Sequence, residues 1–335
     1  MGDKKATVQT INGLMRHLRN DCNIHISGSK QKQQLINYGY YHGYKGYRFY
    51  VKSKNIIEYT DFNQIISVIE YDNALKSLFY EPLMSLEMFF KNNALEEICK
   101  GCTDVSFDGI YKEKMTDFPN DKKLKIERLL LKDRIHHMLS ERYRSETNNI
   151  NNNNNRQKAS VVCHFYDRWD EVPIWAIFEI ITLGEFATFI KCLNKNVRNN
   201  ILRNLQMDCG VDTNSMLIPN ALYIIKSLRN AVAHNNIIFD CRFLDRNPSR
   251  NILEWIKNTT GINNIKFTYL IDYLILLVTM LSKVGYEKTK IEKHISLFEK
   301  EIDKLYNSVQ NNIYTKIVST SAKNKINQLK IITKI

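Results

Sequence analysis

Residues 61–100 constrain the fold more than any other part of this chain, because their apolar positions recur at helical spacing. Asp61 is suited to be the N-cap of this segment, since its carboxylate can accept backbone N–H groups of the first turn. Pro82 would kink or break a helix at its position, because proline lacks a backbone donor. The pattern therefore predicts one long helix or two stacked helices.

The rest of the chain also favours helices, because its 335 residues include only 5 Pro and 12 Gly. Residues 174–192 predict a buried helix, with Trp175, Phe178, Phe186 and Phe189 in the core. The same spacing predicts a helix that starts near residue 30 and others over residues 8–18, 122–143, 197–205, 219–234, 265–284 and 286–306. We expect a mainly α protein.

Two segments depart from the helical pattern. Residues 37–50 interleave tyrosines with Gly39, Gly43 and Gly46, and glycine is a poor helix former. We expect a small Tyr/Gly-rich β or turn element there, with a short extended segment near residues 48–52. Residues 147–155 are almost entirely Asn and predict a mobile loop, because such a tract cannot bury a core.

These features predict three parts of the chain. Residues 1–60 form an N-terminal helical and Tyr/Gly-rich segment, and residues 286–335 form a basic C-terminal helical extension. Between them, residues 61–285 form a helical domain, which carries a flexible Asn-rich insertion at 145–160. A chain of this length can build one large domain or two modest ones.

The charge of the chain indicates a polyanionic partner. Its net charge is +13 and its isoelectric point is about 9.2, which favours nucleic acid first and an anionic membrane surface second. The longest apolar run, at residues 269–284, is interrupted by Asp272 and is too short to span a bilayer comfortably. Seven cysteines without a disulfide pattern favour a reducing compartment. We expect a soluble, cytoplasmic protein with no membrane partner.

The sequence Arg229-Asn230-Ala231-Val232-Ala233-His234 follows an apolar run with helical spacing. Asn230 and His234 are four residues apart and share one helix face, and Arg229 flanks them. A guanidinium can bind two phosphate oxygens, and an imidazole can transfer a proton near neutral pH. Taken alone, the motif is better explained by a solvated Arg and a helix-capping His, because this spacing recurs by chance in a chain of this length.

Several separated motifs carry a family resemblance. They are Asn37-Tyr38, Gly43-Tyr44 and Phe49, then Tyr71-Asp72, Leu75 and Glu87, then His164-Phe165, Pro173-Ile174-Trp175, Glu179 and Gly184, and finally Arg229-Asn230 with His234. In this order they resemble the Abi (abortive infection) family of the AbiD/AbiF-like type, whose last motif resembles the HEPN superfamily of RNases. The chain departs from the family pattern at Gly39, Tyr40, Lys91 and Ala233.

The resemblance implies a HEPN-like helical bundle, a role in phage defence and a metal-independent endoribonuclease without a cofactor. Arg229, Asn230 and His234 would be the catalytic residues. A histidine in the last turn of a helix is favoured in its charged form, which suits an acid or a phosphate ligand more than a base. The resemblance also implies a composite site in a homodimer, where two copies of the motif face each other. An antitoxin partner is left open.

Other residues are candidates for contacts with RNA. The tract around Tyr38, Tyr44, Lys45 and Arg48 is both aromatic and basic, which suits stacking on unpaired bases, with Lys52 and Lys54 near phosphates. Packing of the same tyrosines against the helices is an equal alternative. His164 lies among aromatic residues, which suits a structural or a base-stacking role. The basic tail with Lys323 and Lys325 would clamp RNA or form a solvated helix face.

Alternatives remain for the function and for two smaller motifs. The chain could be a non-catalytic RNA-binding protein that forms a ribonucleoprotein with a structured non-coding RNA, or a toxin neutralised by a partner protein. Arg19 and His25 have the spacing of a second Arg/His motif but fall in a predicted loop. Cys99 and Cys102 lack the two further ligands that a structural zinc site needs, so we predict no metal.

Overall fold

The structure is a computed structural model that describes residues 10–334 except 51–54, 118–120, 153–160, 167, 169–170, 208–209, 211, 213 and 245. For residues 146–152 and 334 it describes the backbone alone. The described part is mainly α-helical, with one two-stranded antiparallel sheet, which confirms the predicted fold class.

The central element is helix α3, Phe62–Cys99, which runs the whole length of the predicted 61–100 segment. Asp61 caps it as expected and forms a capping box with Gln64. Pro82 lies inside the helix without ending it. Two short helices precede α3, namely α1 (Ile11–Asn20) and α2 (Gly28–Tyr38).

Around α3 the later helices build the bundle. Helix α10, Leu217–Ala233, packs against α3 and against α8, Leu183–Cys192. Helix α13, Lys288–Ser308, packs along another side of α3. The remaining helices are α4 (Phe107–Lys114), α5 (Lys122–Asn152), α6 (Val161–Tyr166), α7 (Ile174–Ile180), α9 (Lys195–Asn204), α11 (Arg250–Thr260), α12 (Leu270–Lys283), α14 (Asn311–Ile317) and α15 (Ala322–Lys334).

The apolar run near residue 270 is the buried helix α12, as predicted. Every residue from Leu270 to Leu281 is buried. Among the described helices none is both long and apolar enough to cross a bilayer. The hydrophobic core is one cluster that includes Met15, residues of α3 and Leu329, so all three predicted parts of the chain contribute to it. The predicted division into three parts stays a prediction.

The prediction of a single helix over residues 174–192 was wrong. The chain forms α7 and α8 with a break at Ile181 and Thr182, because Thr182 caps α8 in a capping box with Glu185. Phe178, Phe186 and Phe189 lie in the core as predicted, but Trp175 is 47% exposed. The break turns the start of α8 toward α10, so Gly184 lies against Lys226 of α10.

The Tyr/Gly tract also differs from the expectation. Residues Gly39–Lys45 form a π-helical segment where we expected a turn. The extended segment does begin near residue 48, since strand β1, Phe49–Tyr50, pairs with β2, Asn55–Ile56. Residues 51 and 52 lie outside the described part of the chain.

The Asn-rich segment begins inside a helix. Helix α5 continues through Asn152, so the backbone of residues 147–152 is helical where a loop was expected. Asn is a weak helix former, but here it extends a helix already nucleated by residues from Lys122 onward. Residues 153–160 lie outside the described part, and the flexibility of the insertion at 145–160 stays a prediction.

Candidate functional site

The predicted motif lies at the C-terminal end of α10. The buried residues Leu222, Ile225, Leu228 and Val232 hold one face of this helix against the core. The helix ends at His234, the C-cap, whose N–H donates to the carbonyl of Asn230 at 3.0 Å. Asn235, the next residue, has a positive φ of 53°, a conformation that Asn tolerates well. The turn leaves His234 exposed at the surface.

A buried carboxylate fixes the chain that follows the motif. Asp72 of α3 is 0% exposed, and its Oδ1 accepts the N–H groups of Ile238 at 2.9 Å and Phe239 at 2.7 Å. The hydroxyl of Tyr47 donates to Oδ2 of Asp72 at 2.8 Å. Lys76 Nζ lies 3.1 Å from the same oxygen. The Tyr/Gly tract, α3 and the segment after α10 therefore meet at one residue.

Lys76 extends this network to the motif itself. Its ammonium donates to Oδ1 of Asn235 at 2.7 Å, directly after His234 in the chain. Burial raises the pKa of the Asp72 carboxyl, and the charge of Lys76 opposes that effect. The network holds the turn at the end of α10 on a rigid helix, so the position of His234 is determined by the core.

Arg229 is held by an acidic residue of α3. Its Nε lies 3.1 Å from Oε2 of Glu87, and the other oxygen of Glu87 lies 2.9 Å from Nζ of Lys91. Lys91 also donates to the carbonyl of Ile181 at 2.9 Å, in the break between α7 and α8. Glu87 thus bridges two cations and fixes the direction of the Arg229 side chain.

The remaining part of the guanidinium faces the other motif residues. Nη1 of Arg229 donates to Oδ1 of Asn230 at 3.2 Å, and the Arg229 side chain keeps 26% exposure. Next to the turn, Lys76, Tyr80, Val232 and Asn235 line a surface cavity of about 540 Å³. Arg229 and Asn230 are thus joined by a hydrogen bond and partly exposed, and His234 is exposed about one turn further along the chain.

This arrangement suits an anionic ligand. Arg229 is immobilised through Nε, which leaves terminal N–H groups of its planar fork for phosphate oxygens. His234 makes no side-chain hydrogen bond to another described residue, so its ring is available to a ligand. No other described histidine and no described carboxylate contacts the His234 ring.

The predicted RNA contacts in the Tyr/Gly tract differ in accessibility. Tyr38 is half-buried, whereas Tyr44 is 1% exposed and packs in the core. Lys45 Nζ and the guanidinium carbon of Arg48 lie 5.9 and 5.7 Å from the centre of the Tyr44 ring. Packing is therefore the structural role of Tyr44, and its contact with RNA stays a prediction that would require the ring to leave the core. Lys52 and Lys54 lie outside the described residues.

The other predicted RNA contacts lie apart from the motif in the chain. His164 is exposed on α6, with its ring 5.2 Å from that of Phe165. Lys323 is 59% exposed and pairs with Asp303 at 2.7 Å. Lys325 is buried and donates to Asp272 at 2.6 Å, so contact with RNA would require this ion pair to open. RNA contacts at His164, Lys323 and Lys325 stay predictions.

The two smaller motifs have structural contacts. Arg19 donates to the carbonyl of Ile26 at 2.8 Å, and Nδ1 of His25 lies 3.0 Å from the carboxylate of Asp61. These contacts tie the first helices to the N-terminus of α3. Cys99 and Cys102 are half-buried, and burial raises the pKa of both thiols. Among the described residues, no three His, Cys, Asp or Glu side chains form a cluster that could hold a metal ion.

Sequence reasoning missed the cations and acids that support the motif. Glu87 and Lys91 are four residues apart on one helix, a spacing typical of an ion pair. Their contact with Arg229 depends on the packing of α10 against α3, which local spacing does not encode. The role of Lys76 at Asn235 was missed for the same reason.

The fold and the motif define a mainly α-helical protein in which an ion-paired arginine precedes an exposed histidine at the end of one helix. The sequence profile of a family described as "Abi-like protein" matches residues 33–240, and the chain belongs to this family. Family membership supports a general role in abortive infection, a form of phage defence. No significant match was found to curated proteins or to solved structures.

Proposed function

We propose that this protein is a HEPN-type, metal-independent endoribonuclease of phage defence, in which Arg229 binds the scissile phosphate and His234 transfers a proton. The observation that carries the proposal is the anchoring of Arg229 by Glu87, on a helix that ends at an exposed His234. A fixed guanidinium stabilises charge that develops on the phosphate in the transition state. Asn230 orients the fork of Arg229 through its amide oxygen.

Cleavage of RNA without a metal needs a base for the 2′-hydroxyl and an acid for the 5′-oxygen. One chain offers a single described imidazole at this surface, and its place at a helix C-terminus suits the acid. We therefore infer a homodimer in which a second copy of the motif supplies the base. We place the interface near Tyr80 and Met88 of α3, which are 53% and 52% exposed on the helix that carries Glu87.

The dimer can be tested by changing its proposed interface. Met88→Glu should convert the protein to a monomer in sedimentation experiments and abolish cleavage, because a buried charge opposes association. Ile331→Glu is the matched control, since Ile331 is a 63% exposed apolar residue on α15. It should leave both the mass and the activity unchanged. A monomeric wild type with full activity would exclude the composite site.

The chemistry can be tested on the products. Attack by the 2′-hydroxyl leaves a 2′,3′-cyclic phosphate on one fragment and a 5′-hydroxyl on the other. The same RNA with a single 2′-deoxynucleotide at the cleaved linkage should be resistant at that linkage. Cleavage at the deoxy position, or products with a 5′-phosphate, would contradict the proposed mechanism.

The alternative function is RNA binding without cleavage, because the net charge of +13 suits stable binding to a nucleic acid. In that case the protein would form a ribonucleoprotein with a structured non-coding RNA, and Arg229 and His234 would bind RNA without cleaving it. This alternative would be favoured if the protein purified from cells had a high ratio of absorbance at 260 nm to absorbance at 280 nm and left RNA intact after incubation. A cytoplasmic location and an antitoxin partner also stay predictions.

A further inference from the structure

A second cavity lies along α10, one to three turns before the motif. Its volume is about 290 Å³, near the lower end of the range of about 300–1,000 Å³ typical of small-molecule pockets. Tyr223 and Lys226 of α10 form one wall, and Lys191 of α8 joins them. Arg246 closes the cavity from the segment before α11, and Leu244 and Ile252 form an apolar floor.

Among the described residues, the lining of the cavity is cationic. It contains Lys191, Lys226 and Arg246, and no Asp or Glu of the described part of the chain lines it. Lys191 pairs with Glu127 outside the cavity at 2.5 Å. Within the described part of the chain, Lys226 and Arg246 have no ion pair with a carboxylate. Two cations side by side without a counter-charge favour an anionic group between them.

An aromatic ring lies next to these cations. The guanidinium carbon of Arg246 is 5.6 Å from the centre of the Tyr223 ring. The Tyr223 hydroxyl forms a hydrogen bond of 2.8 Å with Oγ1 of Thr188, so the ring has a fixed orientation. Both a tyrosine ring and a guanidinium plane can stack on an unpaired base. The cavity therefore combines a phosphate-binding edge with a base-stacking surface.

The cavity and the motif share one stripe of α10. Tyr223, Lys226, Ser227, Asn230 and His234 follow each other at intervals of one, three or four residues, on the side of the helix that is not buried. At about 1.5 Å per residue, Tyr223 and His234 are about 16 Å apart along the helix axis. A short RNA strand that passes His234 can reach the cavity without leaving this surface.

We propose that this cavity is an RNA subsite for a single nucleotide of the strand, at a distance of about 16 Å from the cleaved linkage. The phosphate of that nucleotide contacts Lys226 and Arg246, and its base stacks against Tyr223 and the Arg246 side chain. This inference rests on the proposed function in one respect, namely that the ligand is RNA. Binding and cleavage can be measured separately, so the two proposals can fail separately.

Gly184 of α8 supports the position of Lys226. A Cβ atom at residue 184 would lie 3.0 Å from Cδ of Lys226, so glycine leaves room for the stem of the lysine. Gly184→Ala should push the lysine stem aside at small cost to the fold, because a long side chain can adjust. It should weaken RNA binding in the same direction as Lys226→Glu, but less.

The test measures equilibrium binding of a fluorescent single-stranded RNA nonamer in EDTA, in a His234→Ala background that prevents cleavage. Arg246→Glu and Lys226→Glu should each raise the Kd about tenfold, the size expected for a lost hydrogen bond to a charged group. Each should also lower the slope of log K against log salt by about 0.7. Lys300→Glu is the matched control, since Lys300 is an exposed lysine of α13 outside this cavity. It should change the Kd less than about twofold.

Three results would overturn the subsite. In the first, the Kd values of Arg246→Glu and Lys226→Glu equal that of the Lys300→Glu control. In the second, the parent protein does not bind the nonamer. In the third, adenosine monophosphate binds the parent protein as tightly as the nonamer does, and the variants lose this binding. The last result would indicate a separate mononucleotide site. Arg246 is exposed, so its variant remains informative if the half-buried Lys226 proves necessary for folding. Variant-sensitive binding without any cleavage by the wild type would refute the nuclease and leave the subsite intact.

Discussion

Nε of Arg229 lies 3.1 Å from Oε2 of Glu87, although the two residues are on different helices and far apart in the chain. This contact fixes the position of the Arg229 guanidinium, which the spacing of Arg229 and His234 in the sequence does not define. Glu87 is shared with Lys91, and its side chain is 12% exposed, so the carboxylate is largely shielded from solvent. The geometry of the site is therefore set by the packing of α10 on α3.

Glu87→Gln should separate binding from cleavage. Loss of the carboxylate frees Arg229 and raises the local positive charge, so RNA affinity at low salt should be unchanged or higher. The cleavage rate should fall about a hundredfold, because a displacement of about 1 Å of a catalytic group has an effect of that size. Single-turnover kinetics and binding titrations measure the two quantities. Glu96→Gln removes the same charge from an exposed position on α3 and should change neither. Parallel losses of affinity and rate would contradict this positioning role.

His234→Ala should remove activity and leave the fold intact. Proton transfer by a placed side chain contributes about 10²- to 10⁴-fold, so the cleavage rate should fall by at least about a hundredfold. His234 is exposed, and its removal should shift the free energy of unfolding by less than about 0.5 kcal/mol. His137→Ala, at an exposed position on α5, is the control for both measurements. Wild-type rates in the His234→Ala protein would place the chemistry elsewhere.

Asp72→Asn should destabilise the whole bundle. The change removes the charge that Lys76 faces and disturbs the acceptor of two backbone N–H groups. Loss of one partner of a buried ion pair costs about 3–5 kcal/mol, which urea unfolding can measure. Asp303→Asn breaks the Lys323 pair, in which Asp303 is 47% exposed, and should cost less than about 1 kcal/mol. Equal effects of the two changes would show that the Asp72 network is not a core element.

The ion pair between Asp108 of α4 and Lys132 of α5 should make the free energy of unfolding depend on pH. Partial burial would raise the pKa of the Asp108 carboxyl, but a hydrogen bond from Lys132 and the charge of His136 outweigh it, so the pKa lies below its usual value of 3.8. A lowered pKa stabilises the fold above the unfolded pKa, and that contribution is lost as the pH falls through the folded pKa. The advantage of wild type over Asp108→Asn in unfolding free energy should therefore be present at about pH 5 and be lost as the pH falls from the unfolded pKa of 3.8 through the lower folded pKa. An advantage that grows as the pH falls below about 4 would contradict the assigned pKa direction.

Much of the fold follows from local patterns in the sequence. The 61–100 helix, its Asp61 cap and the buried α12 were predicted from apolar spacing and capping residues, which act over a few positions. The break at Thr182 was also encoded locally, since Thr182 and Glu185 have capping-box spacing. Apolar periodicity over residues 174–192 outweighed that signal in the prediction.

The support of the site could not be predicted in the same way. Asp72 receives hydrogen bonds from Ile238 and Phe239, which lie 166 and 167 residues further along the chain. A buried carboxylate with donors from that distance leaves no periodic pattern in the sequence. The burial of Tyr44 and Lys325 could not be predicted either, because aromatic and basic character is typical of RNA contacts whereas these residues are 1% and 6% exposed. Composition gives the class of ligand, but burial decides which residues can touch it.

The most direct test of the account is cleavage of RNA in EDTA by wild type and by the double variant Arg229→Ala/His234→Ala. The account predicts that the wild type cleaves single-stranded RNA with metal removed, and that the folded double variant binds RNA without cleaving it. Equal cleavage by both proteins, or wild-type cleavage that EDTA abolishes, would contradict a metal-independent site at Arg229 and His234.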